Sequence, residues 1–433
     1  MPVTRRQFIK RSAGMVTVGL VLPKVWLGEA RGRQTSFNPN RKFVVIQLAG
    51  GNDGFNTVIP YTDARYYSLR PTLSFEETEL KDLNGRSTIL NDGPFGFHPA
   101  MSEIKELYDQ RKVAIVLGVG YPNPTLSHFL SMDIWHTADT SGLASRGWLG
   151  KYADIALVGR PSLSAASIGS LELPKSLSAG NVVIPSIVNF SLYNFLADPN
   201  YSSDYRNQLS AFNENASRSF PLDTFLGAVN KTAFESVQGA QQVQSSVNSY
   251  KSAVVYPSNN PLAVGLQMVA QLMTTVPETS LLYVSLGGFD NHSDQIGDRG
   301  NDRTNKLMGD HALLLRWFSE AVKLFFDDLK EHNLADDVVI LQWSEFGRRP
   351  GENASFGTDH GTAAPVFVIG NPVRGGLYGV QPSLAASVLD SNGGNTEFTT
   401  DFREVYATIL DKWLDVDSKA VLGAQHPNVG FLG

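Results

Sequence analysis

The chain has 433 residues, a formal net charge of −6 and no cysteine. That length suits one large α/β domain or two smaller ones, and the acidic balance leaves no basic surface for nucleic acid. Without thiols there are no disulfides, iron–sulfur clusters or thiolate metal sites, so any metal must be held by Asp, Glu, water and the eight histidines.

The N-terminus carries Arg5-Arg6-Gln7-Phe8 and Lys10, then an apolar run over 13–22 closed by Pro23. This pattern resembles a twin-arginine export signal, and the run is short for a bilayer span. Gly28-Glu29-Ala30 offers a small-residue cut site. The alternative is a basic amphipathic tail of a cytoplasmic protein. Read as a signal, residues 1–30 engage the twin-arginine translocase. The folded protein then reaches the periplasm or cell envelope, and the mature chain keeps no stable transmembrane segment.

The mature chain alternates buried strands with helices. Residues 41–49 (RKFVVIQLA) form a continuous apolar run that ends in Gly50-Gly51-Asn52-Asp53-Gly54, which predicts a buried strand. Residues 61–98 are polar and turn-rich. A helix is predicted over 100–111 and a strand over 112–118. Ser127 then lies near the N-terminus of a helix that runs through Trp135 and His136, where an anion is favoured; a simple N-cap role is the bland alternative. Another helix is expected from Arg146 to about Val158. Residues 203–262 change to a Ser-, Asn- and Gln-rich composition. They are expected to form a helical insertion, with helices near 206–213, 222–231 and 236–250. A helix over 261–275 and a strand over 280–287 follow, the strand ending in Gly287-Gly288-Phe289-Asp290-Asn291-His292. A long helix spans about 303–332. The strand opening at Val338 leads to Glu345, and Asp359-His360-Gly361 precedes a last apolar run over 365–369.

Three predicted strands thus repeat one device. They end on Asp53, Asp290 and Glu345. In a parallel sheet those ends share one edge, which is where ligands bind. A single Asp there is commonly a helix N-cap. Three such carboxylates, joined by His292, Asp359 and His360, are harder to dismiss: converging carboxylates repel one another, and one or two divalent cations would supply the counter-charge. Mixed Asp, Glu and His ligands suit Zn²⁺ or Mn²⁺, with Mg²⁺ or Ca²⁺ where oxygens predominate. Arg348 and Arg349 follow closely, either as anion binders or as surface partners of Asp336 or Glu352. His98 and His136 read as packed core groups, His311 and His332 as solvated positions on the long helix, and His426 as part of the tail.

The motifs GGNDG, SHF, GGFDNH, SEFGR and DHGTAAP, with the export signal, resemble the bacterial domain-of-unknown-function 1501 family over essentially the whole mature chain. By order and context the pattern also resembles the alkaline phosphatase superfamily, which includes sulfatases. This resemblance implies a three-layer α/β/α sandwich over 38–433 with a mostly parallel sheet and a helical insertion. It implies metal ligands at Asp53, Asp290, His292, Glu345, His360 and Asp359, with Ser127 as nucleophile. Two positions depart from the superfamily pattern. Asp290 and His292 are two apart, not four, and Phe346 stands where a histidine is usual, so one metal site lacks a ligand unless His128 supplies it.

Three functions follow as expectations. The first is a metal-dependent hydrolase of phosphate or sulfate esters, with Ser127 or a metal-bound water attacking and Arg348 holding anionic oxygens. The second is a non-catalytic envelope binding or assembly protein with a degenerate metal site. The third is a metal-free sugar-ester enzyme using Asp53 and Glu345 as acid and base.

Overall fold

The computed structural model describes residues 38, 40–190, 207, 211, 213–215, 218–221, 224–297 and 304–433. The expected signal at 1–30 lies outside them, as do most of residues 191–223. Among the described residues no helix is long and apolar enough to cross a membrane.

The strands are β1 (Lys42–Leu48), β2 (Val58–Ile59), β3 (Gly96–Phe97), β4 (Val113–Gly120), β5 (Ala165–Ile168), β6 (Ser186–Ile187) and β7 (Leu281–Leu286). They continue with β8 (Val338–Trp343), β9 (Arg348–Glu352), β10 (Thr358–His360), β11 (Ala364–Ile369), β12 (Gly376–Tyr378) and β13 (Thr400–Asp401). Nine of them form one sheet in the order β12-β4-β11-β8-β1-β7-β5-β6, with β13 beside β4. β5 was not anticipated: its sequence, AASI, holds a single β-branched apolar residue.

Both faces of this sheet are covered, which is why its strands read as unbroken apolar runs. Val44, Ile46 and Leu48 of β1 face one layer, with Ile104, Leu266 and Phe318 from the helices Ser102–Asp109, Pro261–Thr275 and Asp310–Glu331. Phe43 and Val45 face the other, with Trp135, Trp148 and Tyr406 from the helices His128–Thr137, Trp148–Ala156 and Phe402–Lys412. The result is a three-layer α/β/α sandwich. In the segment expected as a helical insertion, the helices expected near 222–231 and 236–250 are one continuous helix, Phe225–Ser249. Its Val243 joins the first layer's core.

Two features of the sheet build the site. β1 pairs in parallel with β7 on one side and β8 on the other. The ends that carry Asp53, Asp290 and Glu345 are therefore neighbours. In contrast, β11 runs antiparallel to both β4 and β8. A parallel β11 would need a long crossover to the opposite edge. Here the chain leaves β8, forms the two-stranded ribbon β9–β10, and re-enters the sheet from the same edge. The ribbon thus sits over the carboxyl ends of β1, β7 and β8, and delivers Arg348, Asp359 and His360 there.

Candidate metal centre

The floor of the site is made by Gly50 and Gly51, which follow β1 with φ of +123° and +79°. A Cβ on Gly51 would meet the Phe346 ring at 2.3 Å, so only glycine lets the ring lie there. Phe346 is buried against this turn. Its ring centroid lies 4.8 Å from that of His128 and 4.7 Å from that of His360. In place of a ligand it forms the apolar wall under two imidazoles.

His128 opens the helix His128–Thr137. That helix is pinned to the end of β8 by stacking of Trp135 on Trp343, at 5.1 Å, and by the Ser131 hydroxyl, which donates to the Glu345 carbonyl. Glu345 itself is fully buried. Its Oε1 accepts the Gly50 N–H at 2.8 Å and lies 2.9 Å from His128 Nδ1. It therefore stands behind the imidazole, away from the open side of the site. A hydrogen bond from His128 to Glu345 raises the histidine's pKa against the opposing effect of burial.

Three imidazoles present the same nitrogen inward. Glu345 accepts from Nδ1 of His128, the Leu126 carbonyl accepts from Nδ1 of His360 at 2.7 Å, and the Asp359 carboxylate lies 3.5 Å from Nδ1 of His292. Acceptors on each Nδ1 place its proton there, leaving Nε2 with a lone pair. The three Nε2 atoms lie 3.4, 3.2 and 3.0 Å from one oxygen, Asp290 Oδ1, for His128, His360 and His292 respectively. Nε2 of His292 and of His360 are 2.8 Å apart. His128 Nε2 is buried without a hydrogen-bond partner. With these tautomers four acceptor atoms face one another, and the one donor that reaches them is the Arg348 guanidinium, at Asp290 Oδ1 and beside His292 Nε2.

Such a set fits a cation. His128, Asp290 and His360 each offer a ligand atom, and these atoms lie within 4.8 Å of one another. Neighbouring donors of a tetrahedral site with bonds near 2.0–2.1 Å would be about 3.3 Å apart, close to the separations here.

The remaining carboxylates have other partners. Asp53 lies beside the site, but its carboxylate is taken up by Arg70, a residue that the turn-rich stretch 61–98 had not brought to notice. Arg70 Nη1 and Nη2 donate to Asp53 Oδ2 and Oδ1 at 2.6 and 2.9 Å, Gln295 donates to Oδ2 at 2.6 Å, and the Phe55 N–H donates to Oδ1 as at a helix N-cap. Burial would raise the Asp53 pKa, yet Arg70 holds it below the usual carboxylate range. The counter-charge expected from a metal at Asp53 is supplied here by a guanidinium.

Arg348 is buried as well. Its Nε donates to the Gly51 carbonyl and Nη1 to that of Thr358. Nη2 donates to the Gly50 and Phe289 carbonyls and to Asp290 Oδ1 at 2.6 Å. Nη1 also lies 3.4 Å from His292 Nε2. All of its donor groups are engaged, so it is turned inward as a clamp and is not open to an outside anion. Burial opposes ionisation of Asp290, but the bond to Arg348 and its charge bring the pKa down to about 2. Neither Arg348 nor Arg349 pairs with Asp336 or Glu352 among the described residues. Asp336 accepts from Asn371, and Glu352 from the Thr72 and Leu73 N–H groups.

Ser127 is the N-cap residue of the helix that starts at His128. Its side chain makes no capping bond and is exposed, next to Leu126 and His128. His311, expected to be solvated on its helix, is buried, with Nε2 3.0 Å from Asn52 Oδ1; burial lowers its pKa to about 4.

A family model described as "Protein of unknown function (DUF1501)" matches residues 118–423. The chain belongs to the DUF1501 family. The matched span holds Ser127, His128, Asp290, His292, Glu345, Arg348, Asp359 and His360, while Asp53 and Arg70 precede it. No curated protein matches the DUF1501 chain. Solved structures do. A protein in the alkaline phosphatase superfamily from Vibrio parahaemolyticus is 11% identical, with 88% of this chain and 68% of that one covered at a TM-score of 0.36. The C-terminal periplasmic domain of EcEptC from Escherichia coli is 9% identical, with 86% and 82% covered at 0.38. The PsFucS1 sulfatase from Pseudoalteromonas sp. is 13% identical, with 90% and 74% covered at 0.37. At such scores the functional argument rests on the residues themselves.

Proposed function

We propose that this DUF1501 protein is an exported hydrolase of phosphate or sulfate esters that holds one divalent metal on His128, Asp290 and His360, with His292 beside them. The observation that carries this reading is the convergence of three imidazole Nε2 atoms on Asp290 Oδ1. Two imidazole nitrogens in the donor set, with that of His292 beside them, favour Zn²⁺ or Mn²⁺ over Mg²⁺ or Ca²⁺. A bound metal would supply Lewis acidity toward an ester oxygen and would lower the pKa of a nearby hydroxyl.

The chain's own residues do the rest. Glu345 and the Leu126 carbonyl orient two of the rings, and Arg348 keeps Asp290 ionised and in place. Ser127, exposed at a helix N-terminus, is the assigned nucleophile, with water as the alternative. The first N–H groups of that helix favour an anionic group beside it. Delivery by the twin-arginine translocase to the periplasm or cell envelope belongs to the same proposal.

The test has two parts. Metal content per chain is measured on protein purified without chelator, and Ser127→Ala is assayed on a panel of phosphate and sulfate esters. One equivalent of Zn or Mn, with activity lost in the variant, is expected. Failure to bind metal after reconstitution would end this reading.

A non-catalytic binding or assembly role is the second reading. Phe346 and Arg70 favour it, because the ring stands where a histidine ligand was expected and the guanidinium takes up the Asp53 carboxylate. Metal binding without turnover of any ester would support it.

A further inference from the structure

The end of the long helix Asp310–Glu331 carries a charged arrangement that the candidate metal centre does not use. His332, read from the sequence as solvated, is the C-cap residue of this helix and has both ring nitrogens engaged. Nδ1 lies 2.9 Å from the Asp328 carbonyl oxygen and 3.0 Å from Asp328 Oδ1. Nε2 lies 2.8 Å from the Lys251 carbonyl oxygen. A carbonyl oxygen only accepts, and a neutral imidazole has a single N–H. Only the imidazolium, with a proton on each nitrogen, satisfies both sides of the ring.

Asp328 calls for the same charge. Its carboxylate is fully buried and accepts from the hydroxyls of Tyr250, Ser252 and Tyr256, all neutral donors. Among the described residues His332 is the only basic side chain that pairs with it. A helix C-terminus favours a cation as well, and the Tyr250 ring stacks on the imidazole at 5.6 Å. Glu331 adds negative charge nearby and accepts from the Ala253 N–H at 3.0 Å. The other charges are directed elsewhere. Lys330 pairs with Asp327, the Lys251 side chain is exposed, Asp336 accepts from Asn371, and Asp337 interacts with Lys42. The helix Pro261–Thr275, packed alongside, holds no charged residue. Burial opposes the charge on His332, but its bonds to the Asp328 and Lys251 carbonyls and the neighbouring carboxylates raise its pKa.

The chain held here is the segment that follows the helix Phe225–Ser249. Tyr250, Ser252 and Tyr256 reach Asp328, Ala253 reaches Glu331, and Lys251 reaches His332. We propose that His332 is a proton-operated clamp, which as an imidazolium fastens residues 250–256, and with them the end of the helix Phe225–Ser249, to the helix Asp310–Glu331. The clamp is fully closed below the unfolded pKa of about 6.5 and opens as pH rises through the folded one. The proton that leaves is the one on Nε2, because Nδ1 faces the Asp328 carboxylate. Nε2 and the Lys251 oxygen then meet lone pair to lone pair, one bond is lost, and the segment loosens. This device does not rest on the hydrolase reading.

Amide hydrogen exchange over residues 250–256 is followed by mass spectrometry from about pH 5.5 to 9, corrected for the intrinsic pH dependence of exchange, in the wild type and in His332→Gln. The His332 titration is read in parallel by NMR and assigned by its disappearance in the variant. The wild-type imidazole is expected to titrate above 6.5. Protection of residues 250–256 should fall by about fivefold across that titration, the size of one lost hydrogen bond, while the central strand Val338–Trp343 keeps its protection. His332→Gln, with no charge to lose, should show the lower protection at every pH. A wild-type titration at or below 6.5, protection that stays constant across it, or the same pH dependence in His332→Gln would overturn the proposal. If the variant does not fold, the wild-type profile decides alone.

Discussion

Glu345 Oε1 lies 2.9 Å from Nδ1 of His128, across 217 positions of sequence. The carboxylate is fully buried and the imidazole's other nitrogen faces Asp290. Glu345 is thus the group that decides which nitrogen of His128 is available. Replacing it with Gln should weaken metal affinity by roughly 10- to 100-fold, as loss of outer-shell partners does. Competition with a chromophoric chelator checks this. In metal-free protein the pair also has a pH signature. The His128 pKa is raised, so its contribution to stability is fully present below the unfolded value of about 6.5 and fades as pH rises through the folded one. Denaturation midpoints at a series of pH values should lose that dependence in Glu345→Gln.

Arg70 and Asp53 form a buried two-point ion pair. Arg70→Met strands the carboxylate and should cost about 3–5 kcal/mol of stability. Because the Asp53 pKa is depressed, the pair's contribution is present above the unfolded value near 3.9 and is lost as pH falls through the folded one. Urea unfolding at neutral pH measures the cost. A double variant, Asp53→Asn with Arg70→Met, should recover part of it; no recovery would show that Arg70 acts mainly through its bonds to the Arg349 and Pro350 carbonyls.

Phe346→His places a histidine where the resemblance in the sequence led one to be expected. Metal stoichiometry should nevertheless stay at that of the wild type. The ring lies against Gly51, and the carboxylate that a second metal would need, Asp53, is held by Arg70. Elemental analysis after dialysis against Zn²⁺ decides it: an additional equivalent per chain would show that Phe346 alone had closed a second site.

Lys42 offers a pH test remote from the site. Its ammonium is buried, donating to the Pro277 and Thr279 carbonyls, and burial pulls its pKa from 10.5 to about 8. Between those two values the unfolded chain binds the extra proton, so stability should rise with pH there, at up to about 1.4 kcal/mol per unit. Lys42→Met should flatten this rise. Guanidinium titrations from pH 7 to 10.5 give the slope.

Much of the frame is legible before any coordinates. Runs such as residues 41–49 have both faces buried, so they read as strands without context, and the glycines after them mark the turns. Alternation with helices then implies that Asp53, Asp290 and Glu345 share an edge, because parallel strands end together. That reasoning cannot reach the direction in which a side chain is spent. Which carboxylate faces a ligand depends on what lies behind it, and those partners are remote in sequence: Arg70 for Asp53, Arg348 for Asp290, His128 for Glu345. Nor does the spacing of Arg348 and Arg349 say that one is engaged and the other open, since alternation along β9 turns neighbouring side chains to opposite faces. Chain order is set by local pattern and propensity. The charge pairing at the edge is a long-range electrostatic matter, and only the packed tertiary structure resolves it.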